Sequence, residues 1–199
     1  MLTLAQLLQP LAQHRTSEVV VTTMSSVRPW GRLSDHDLDF ASADSAMGHA
    51  ADLALGIALA RPERRVVCIN GDGSMLMSLG TLATAVGSAA GNYLLIVADN
   101  GVYEITGGQR VPGAPTVDYA GLARAVGFRS VYHFDDAREW SQAVPAVLRA
   151  LGPTFVHAEV EPGVEGPIAR RPTEPARYLQ VSLAEWSRRM RAALASKKS

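Results

Sequence analysis

The sequence predicts an α/β fold, a three-layer α/β/α sandwich built on a mostly parallel central sheet. Two observations predict it. Short apolar runs rich in β-branched residues alternate along the chain with stretches of helical periodicity, the pattern of successive βαβ units. Several of these runs are nearly continuous, as in Val66-Val67-Cys68-Ile69, which suits strands covered by helices on both faces.

Taken in order, a first helix is expected over residues 2–14 and a first strand over 18–23, where three valines follow one another. A second strand is expected over 38–42 and a helix rich in Ala and Leu over 46–60. The third strand, 65–70, leads through a helix at 78–90 to the fourth at 93–98. A helix at 118–126, a strand at 130–134, a helix at 137–151 and a strand at 154–160 complete the alternation. Residues 161–175 hold four prolines and two glycines and read as a loop or extended arm. The last helix, 183–195, carries Leu183, Trp186, Met190 and Ala193 at spacings of three to four, a stripe that packs on the body or on a partner. No repeat or linker divides the chain, so residues 1–199 are expected to form one domain, with the arm and last helix as its appendage.

The chain has 199 residues, 47% of them hydrophobic, which excludes a disordered polymer and suffices for a real core. Nineteen Lys and Arg balance nineteen Asp and Glu, so nothing supplies the basic excess of a dedicated nucleic-acid binder. The pairs Arg170-Arg171 and Lys197-Lys198 are too small for that role. The single cysteine, Cys68, forms no internal disulfide and lies in an apolar strand, where it is expected to be an inert buried thiol. No window reaches the ~18 apolar residues of a membrane span. The first ten residues lack a charged start and a long apolar stretch, and a soluble cytoplasmic protein is expected.

The third strand ends in Asn70-Gly71-Asp72-Gly73-Ser74. Beyond strand C-termini is where parallel sheets bind ligands, and the glycines let the backbone turn and approach one closely. A following helix would aim free N–H groups at an anion such as a phosphate. Asp72 puts a negative charge beside that anion, which makes sense if a hard cation such as Mg²⁺ bridges them. The fourth strand ends in Asp99-Asn100-Gly101-Val102-Tyr103, so Asn100 is expected at the same sheet edge as Asp72. Each motif taken alone is also an ordinary turn. The set is neither a complete dinucleotide fingerprint, since Leu76 stands at the third glycine, nor a P-loop.

Together these residues carry a resemblance. Gly71-Asp72-Gly73-Ser74, a crossover helix, and Asn100 with 27 residues between Asp72 and it resemble the diphosphate-binding motif of thiamine diphosphate enzymes. Upstream, Ser45-Ala46-Met47-Gly48 resembles that family's Gly-Ser-hydrophobe-Gly segment. Downstream, Val102-Tyr103 and Thr106-Gly107-Gly108-Gln109 resemble the sulfopyruvate and phosphonopyruvate decarboxylases.

The resemblance implies the thiamine diphosphate-binding fold and a set of roles. Asp72, the Asn100 side chain and the Val102 carbonyl would bind Mg²⁺. Gly71, Gly73 and Ser74 would hold the diphosphate. Met47 and Gly48 would prop the bent cofactor, and the Ser45 backbone would meet its aminopyrimidine. Tyr103, Glu104 and Ile105 would cover the diphosphate and border the active site, with Glu104 a candidate acid or base. The implied activity is decarboxylation of a small 2-oxo acid. An acetolactate synthase-like carboligase subunit and a non-catalytic cofactor-binding module are the alternatives. The activating glutamate of the family belongs to a pyrimidine-binding domain, and no segment here matches it. The resemblance therefore implies a separate subunit that supplies it, in a homo- or hetero-oligomer. Glu104-Ile105 departs from the small residues of the relatives, and a carboxylate at the entrance would repel a dianionic substrate.

Other polar residues have local readings. His49 is expected to bond at a helix start, His36 to sit in a solvated turn, and His133 and His157 to be satisfied within strands. Trp30, Trp140 and Trp186 are expected to serve packing or an interface. Arg170-Arg171 is expected as a solvated loop pair, with clamping of a substrate carboxylate as the alternative.

Overall fold

The computed structural model describes residues 1–41 and 47–196. The chain opens with helix α1, Leu4–His14, started by a capping box in which Thr3 and Gln6 satisfy each other's backbone N–H groups. Strand β1, Val19–Thr22, runs through a 3₁₀ turn at Met24–Ser26 into helix α2, Val27–Leu33. Strand β2, Asp39–Ala41, and helix α3, Ala50–Ala60, follow. The predicted strand end at Ser42 and helix start at Ala46 lie outside the described residues.

Strand β3, Val66–Gly71, passes directly into a short helix α4, Asp72–Leu76, and then helix α5, Gly80–Gly87. The expected single helix over 78–90 is thus shorter, and helical backbone begins at Asp72, inside what the sequence suggested was a turn. Ser78 N–H donates to Met75 O and Thr81 N–H to Ser78 O, carrying the chain around the bend between the two helices. Strand β4, Tyr93–Asp99, precedes a small antiparallel ribbon of β5, Val102–Tyr103, and β6, Gln109–Arg110. Helix α6, Tyr119–Val126, strand β7, Ser130–Phe134, helix α7, Ala137–Arg149, strand β8, Thr154–Glu159, and helix α8, Leu183–Ala195, complete the chain. Helices α1 and α7 each carry an internal proline, Pro10 and Pro145.

The six main strands form one sheet in the order β2-β1-β3-β4-β8-β7, every pair parallel. Helices α1, α2 and α7 pack together on one face, and α3, α5 and α6 on the other. This follows from right-handed crossovers, because the order runs one way from β1 to β2 and the other way from β3 to β4. The crevice beyond β1 and β3, where direction reverses, is the ligand-binding position of an open α/β sheet.

Strands β3 and β4 are apolar and fully buried almost throughout, the double coverage their composition implies. Cys68 is wholly buried there and burial pushes its thiol far up, consistent with an inert side chain. All three tryptophans are buried with their indole N–H groups satisfied, Trp30 by Asp39 Oδ1 at 2.9 Å, Trp140 by Leu7 O at 2.8 Å and Trp186 by Asp39 O at 2.7 Å. The bond from Trp186 secures helix α8 against β2, the edge strand of the sheet among the described residues. Among the described residues no helix is long and apolar enough to cross a membrane.

Candidate functional site

Asp72 is the first residue of α4 and is only 2% exposed. A buried carboxylate needs donors, and Gly101 N–H supplies one to Oδ2 at 3.0 Å. That bond ties the end of β3 to the loop after β4. Burial, together with the neighbouring charge of Asp99, pushes Asp72 up to about 7. Asp99 goes the other way: burial would raise it, but hydrogen bonds from His157 and Asp72 outweigh burial and hold it below the ordinary range. The His157 Nε2 to Asp99 Oδ2 distance is 2.9 Å. The two carboxyls are thus pushed in opposite directions, Asp72 toward its neutral form and Asp99 toward its charged one.

Asn100 follows immediately, ahead of Gly101 at φ +71°, a left-handed turn that glycine takes without strain. Its Oδ1 accepts from Val102 N–H at 3.1 Å and its Nδ2 donates to Glu104 Oε2 at 3.0 Å. Glu104 Oε2 also accepts from Gly163 N–H at 3.1 Å, and Oε1 from Glu165 N–H at 2.8 Å. The ring of Tyr103 lies on Gly73, where a Cβ would come within 2.2 Å of the ring edge. Glycine is required there by that contact. Ser74, buried beside it, accepts from Gly48 N–H through Oγ at 2.9 Å, leaving its hydroxyl proton to donate.

The predicted residues thus come together. Met47, Gly71, Asp72, Gly73 and Ser74 line one cleft with Asn100 and the loop residues Val102, Tyr103, Glu104 and Ile105 across from them. Gly48 joins through Ser74. Ser45 lies outside the described residues. Sequence reasoning missed Met24 and Ser25, which reach the cleft from the end of β1. Met24 stands at φ +50°, unusual for a side chain of its size, and nothing in the residue type signals it.

The free space at the cleft's centre is about 30 Å³, room for an ion or a water molecule. The Asp72 carboxylate and the Asn100 amide oxygen are hard oxygens of the kind Mg²⁺ takes. Among the described residues no three His, Cys, Asp or Glu side chains are placed to hold a metal. A cation here would need oxygens from a bound anion to complete its shell, which fits a metal–diphosphate pair.

The remaining candidates have local partners. His133 bonds Glu159 at 2.9 Å and stacks on His157 with ring centroids 4.8 Å apart, at the side of a neighbouring cavity of about 660 Å³. His49 approaches Asp52 at 3.4 Å, and His36 Nδ1 accepts from Leu38 N–H at 3.0 Å. Arg170 donates to the carbonyls of Tyr178 and Val181, and Arg171 bonds Glu174 at 3.2 Å, so both serve the arm's own fold.

Known proteins share the sequence and fold of this chain. The chain is 42% identical over 162 residues to a phosphonopyruvate decarboxylase of Streptomyces viridochromogenes, covering 81% of this chain and 40% of that protein. It is 30% identical over 162 residues to the sulfopyruvate decarboxylase subunit beta of Methanococcus maripaludis, covering 81% of this chain and 85% of that one. The fold superposes on a thiamine diphosphate-dependent 4-hydroxybenzoylformate decarboxylase of Rhodococcus jostii with a TM-score of 0.67 at 23% identity, over 82% of this chain and 33% of that one. The chain spans about 40% of the length of the phosphonopyruvate decarboxylase it matches. Residues 33–158 match the model of the thiamine pyrophosphate enzyme, C-terminal TPP binding domain, and the chain belongs to that family.

Proposed function

We propose that this chain is the thiamine diphosphate- and Mg²⁺-binding subunit of a 2-oxo acid decarboxylase of the sulfopyruvate or phosphonopyruvate type. The observation that carries the reading is the meeting of Asp72, Gly73, Ser74, Asn100 and Val102 in one cleft at the strand C-termini, tied by the Gly101 N–H bond to Asp72. Asp72, the Asn100 oxygen and the Val102 carbonyl hold the cation. Gly73 admits the diphosphate close to the backbone, and Ser74 donates its hydroxyl proton to a phosphate oxygen. Met47 would support the cofactor between its two rings, and Tyr103 with Ile105 would shield the diphosphate from water. When bound, the cofactor supplies the electron sink for loss of CO₂.

The active site is completed by a separate pyrimidine-binding chain that brings the activating glutamate. Relatives named as a beta subunit support this. Purified together with the product of the adjacent reading frame, the chain is expected to release CO₂ from a short 2-oxo acid only with thiamine diphosphate and Mg²⁺ present. A reconstituted complex that binds the cofactor yet turns over no 2-oxo acid would point instead to a binding module.

A further inference from the structure

We propose that Glu104 is a positioning residue: it turns the Asn100 carboxamide toward the cation seat and clasps the arm of residues 161–175 to the loop that carries Asn100. The first half rests on the cofactor reading above; the clasp stands without it.

An asparagine side chain presents either its oxygen or its NH₂ to a site, and the partner of one end decides. Glu104 accepts only, so it holds Asn100 Nδ2 at 3.0 Å and leaves Oδ1 on the side of Val102. The same carboxylate takes Gly163 N–H at 3.1 Å and Glu165 N–H at 2.8 Å, donors some sixty residues further along the chain. With three donors on its two oxygens, the carboxylate is largely engaged in structural bonds. The arm lies wholly beyond residue 158, where the family match ends. Its other side is gripped by Arg28, which bonds Glu174 at 2.6 Å and donates to Gly166 O at 2.8 Å and Pro167 O at 2.7 Å. Arg32 adds a contact to Glu165 at 2.7 Å. Glu104 thus joins the arm to the residue proposed to ligate the cation, and whatever orders one orders the other.

The test uses the full chain. Trypsin cleavage of the Arg170–Arg171 bond requires the arm to open, because Arg170 is bonded to Val181 O at 3.1 Å. Glu104→Gln keeps the size of the side chain but sets an NH₂ against backbone N–H groups. Without any ligand, the variant is expected to be cut about tenfold faster, the weight of one charge-assisted hydrogen bond. With Mn²⁺ and inorganic diphosphate, followed by electron paramagnetic resonance, it should need about tenfold more Mn²⁺ for half-saturation. Gly163→Ala supplies the second variant, since its Cβ would press on Glu104 Oε1 from 2.9 Å and loosen the clasp from the arm side. It should speed cleavage even if Glu104→Gln does not fold. Equal cleavage in all three proteins overturns the clasp, and an unchanged Mn²⁺ requirement in Glu104→Gln overturns the positioning of Asn100. A wild type that binds no Mn²⁺ with diphosphate, while Glu104→Gln is still cut faster, removes the cofactor reading and leaves the clasp standing.

Discussion

Gly73→Ala isolates the contact that shapes the cleft floor. A methyl built on Gly73 meets the Tyr103 ring at 2.2, 2.8 and 3.0 Å, against an ordinary carbon contact of about 3.5–4.0 Å. The ring must retreat by more than an ångström, yet its backbone is pinned by the pairing with Gln109 and by Gly108 N–H on Tyr103 O at 3.0 Å. Overpacking of this kind costs about 1–3 kcal/mol. Gly73 lies within α4, so the new alanine also recovers up to about 1 kcal/mol of helix propensity. With that gain taken in full the net loss is about 0–2 kcal/mol, or up to roughly 8 °C in Tm for a chain of this size. In a Tyr103→Ala background the clash is gone and the same substitution should be neutral or slightly stabilising. Urea denaturation of the four proteins yields the coupling directly. If Gly73→Ala costs the same with and without the Tyr103 ring, or nothing in either, the contact does not account for the glycine.

Three further substitutions or conditions follow from the geometry. Ser74→Ala leaves the buried Gly48 N–H without its acceptor and should cost about 1–2 kcal/mol by urea denaturation, against no change if water replaces the hydroxyl. Asp39→Ala strands Arg15, bonded to it at 2.6 Å with both side chains buried, and also deprives Trp30 and Ser34; the loss should be about 3–5 kcal/mol by the same assay, and less than 1 would contradict the network. Asp72, raised by burial and Asp99 to about 7 from 3.8, keeps a proton in the folded chain that the unfolded chain has already released. Across that window the folded state binds more protons, so the metal-free chain should lose stability as pH climbs from about 4 toward 7. Added Mg²⁺ should flatten that fall by replacing the proton; urea midpoints that instead rise through the window without metal would refute the assignment.

The parts of the fold legible in sequence are those set by local pattern. The runs predicted at 65–70 and 93–98 are strands because continuous apolar residues suit a doubly covered sheet; the structure shifts the first by one residue, to Val66–Gly71, and extends the second by one, to Asp99. The stripe over Leu183, Trp186 and Met190 marks α8 with the bounds expected. Helix α2 escaped notice because Pro29 and Gly31 interrupt its pattern, although tertiary packing buries Val27 and Trp30. The ribbon of β5 and β6 is two residues per strand, too short for any periodicity. In the site, Asp72 and Asn100 were readable as neighbours because parallel crossover topology returns successive strand ends to one edge. Met24 and the bonds of Glu104 to Gly163 and Glu165 were not, since they depend on contacts across the whole chain.

The central claim is that Asp72, Asn100 and Val102 grip a diphosphate through Mg²⁺. Calorimetric titration of thiamine diphosphate into the reconstituted complex, wild type and Asp72→Asn, with Mg²⁺ or with EDTA, tests it most directly. Saturable binding is expected for the wild type with Mg²⁺ and not with EDTA, and is expected to be lost in Asp72→Asn, while circular dichroism of the two proteins stays the same. Binding indifferent to Mg²⁺ or to Asp72→Asn, or its absence from the wild-type complex, would contradict it.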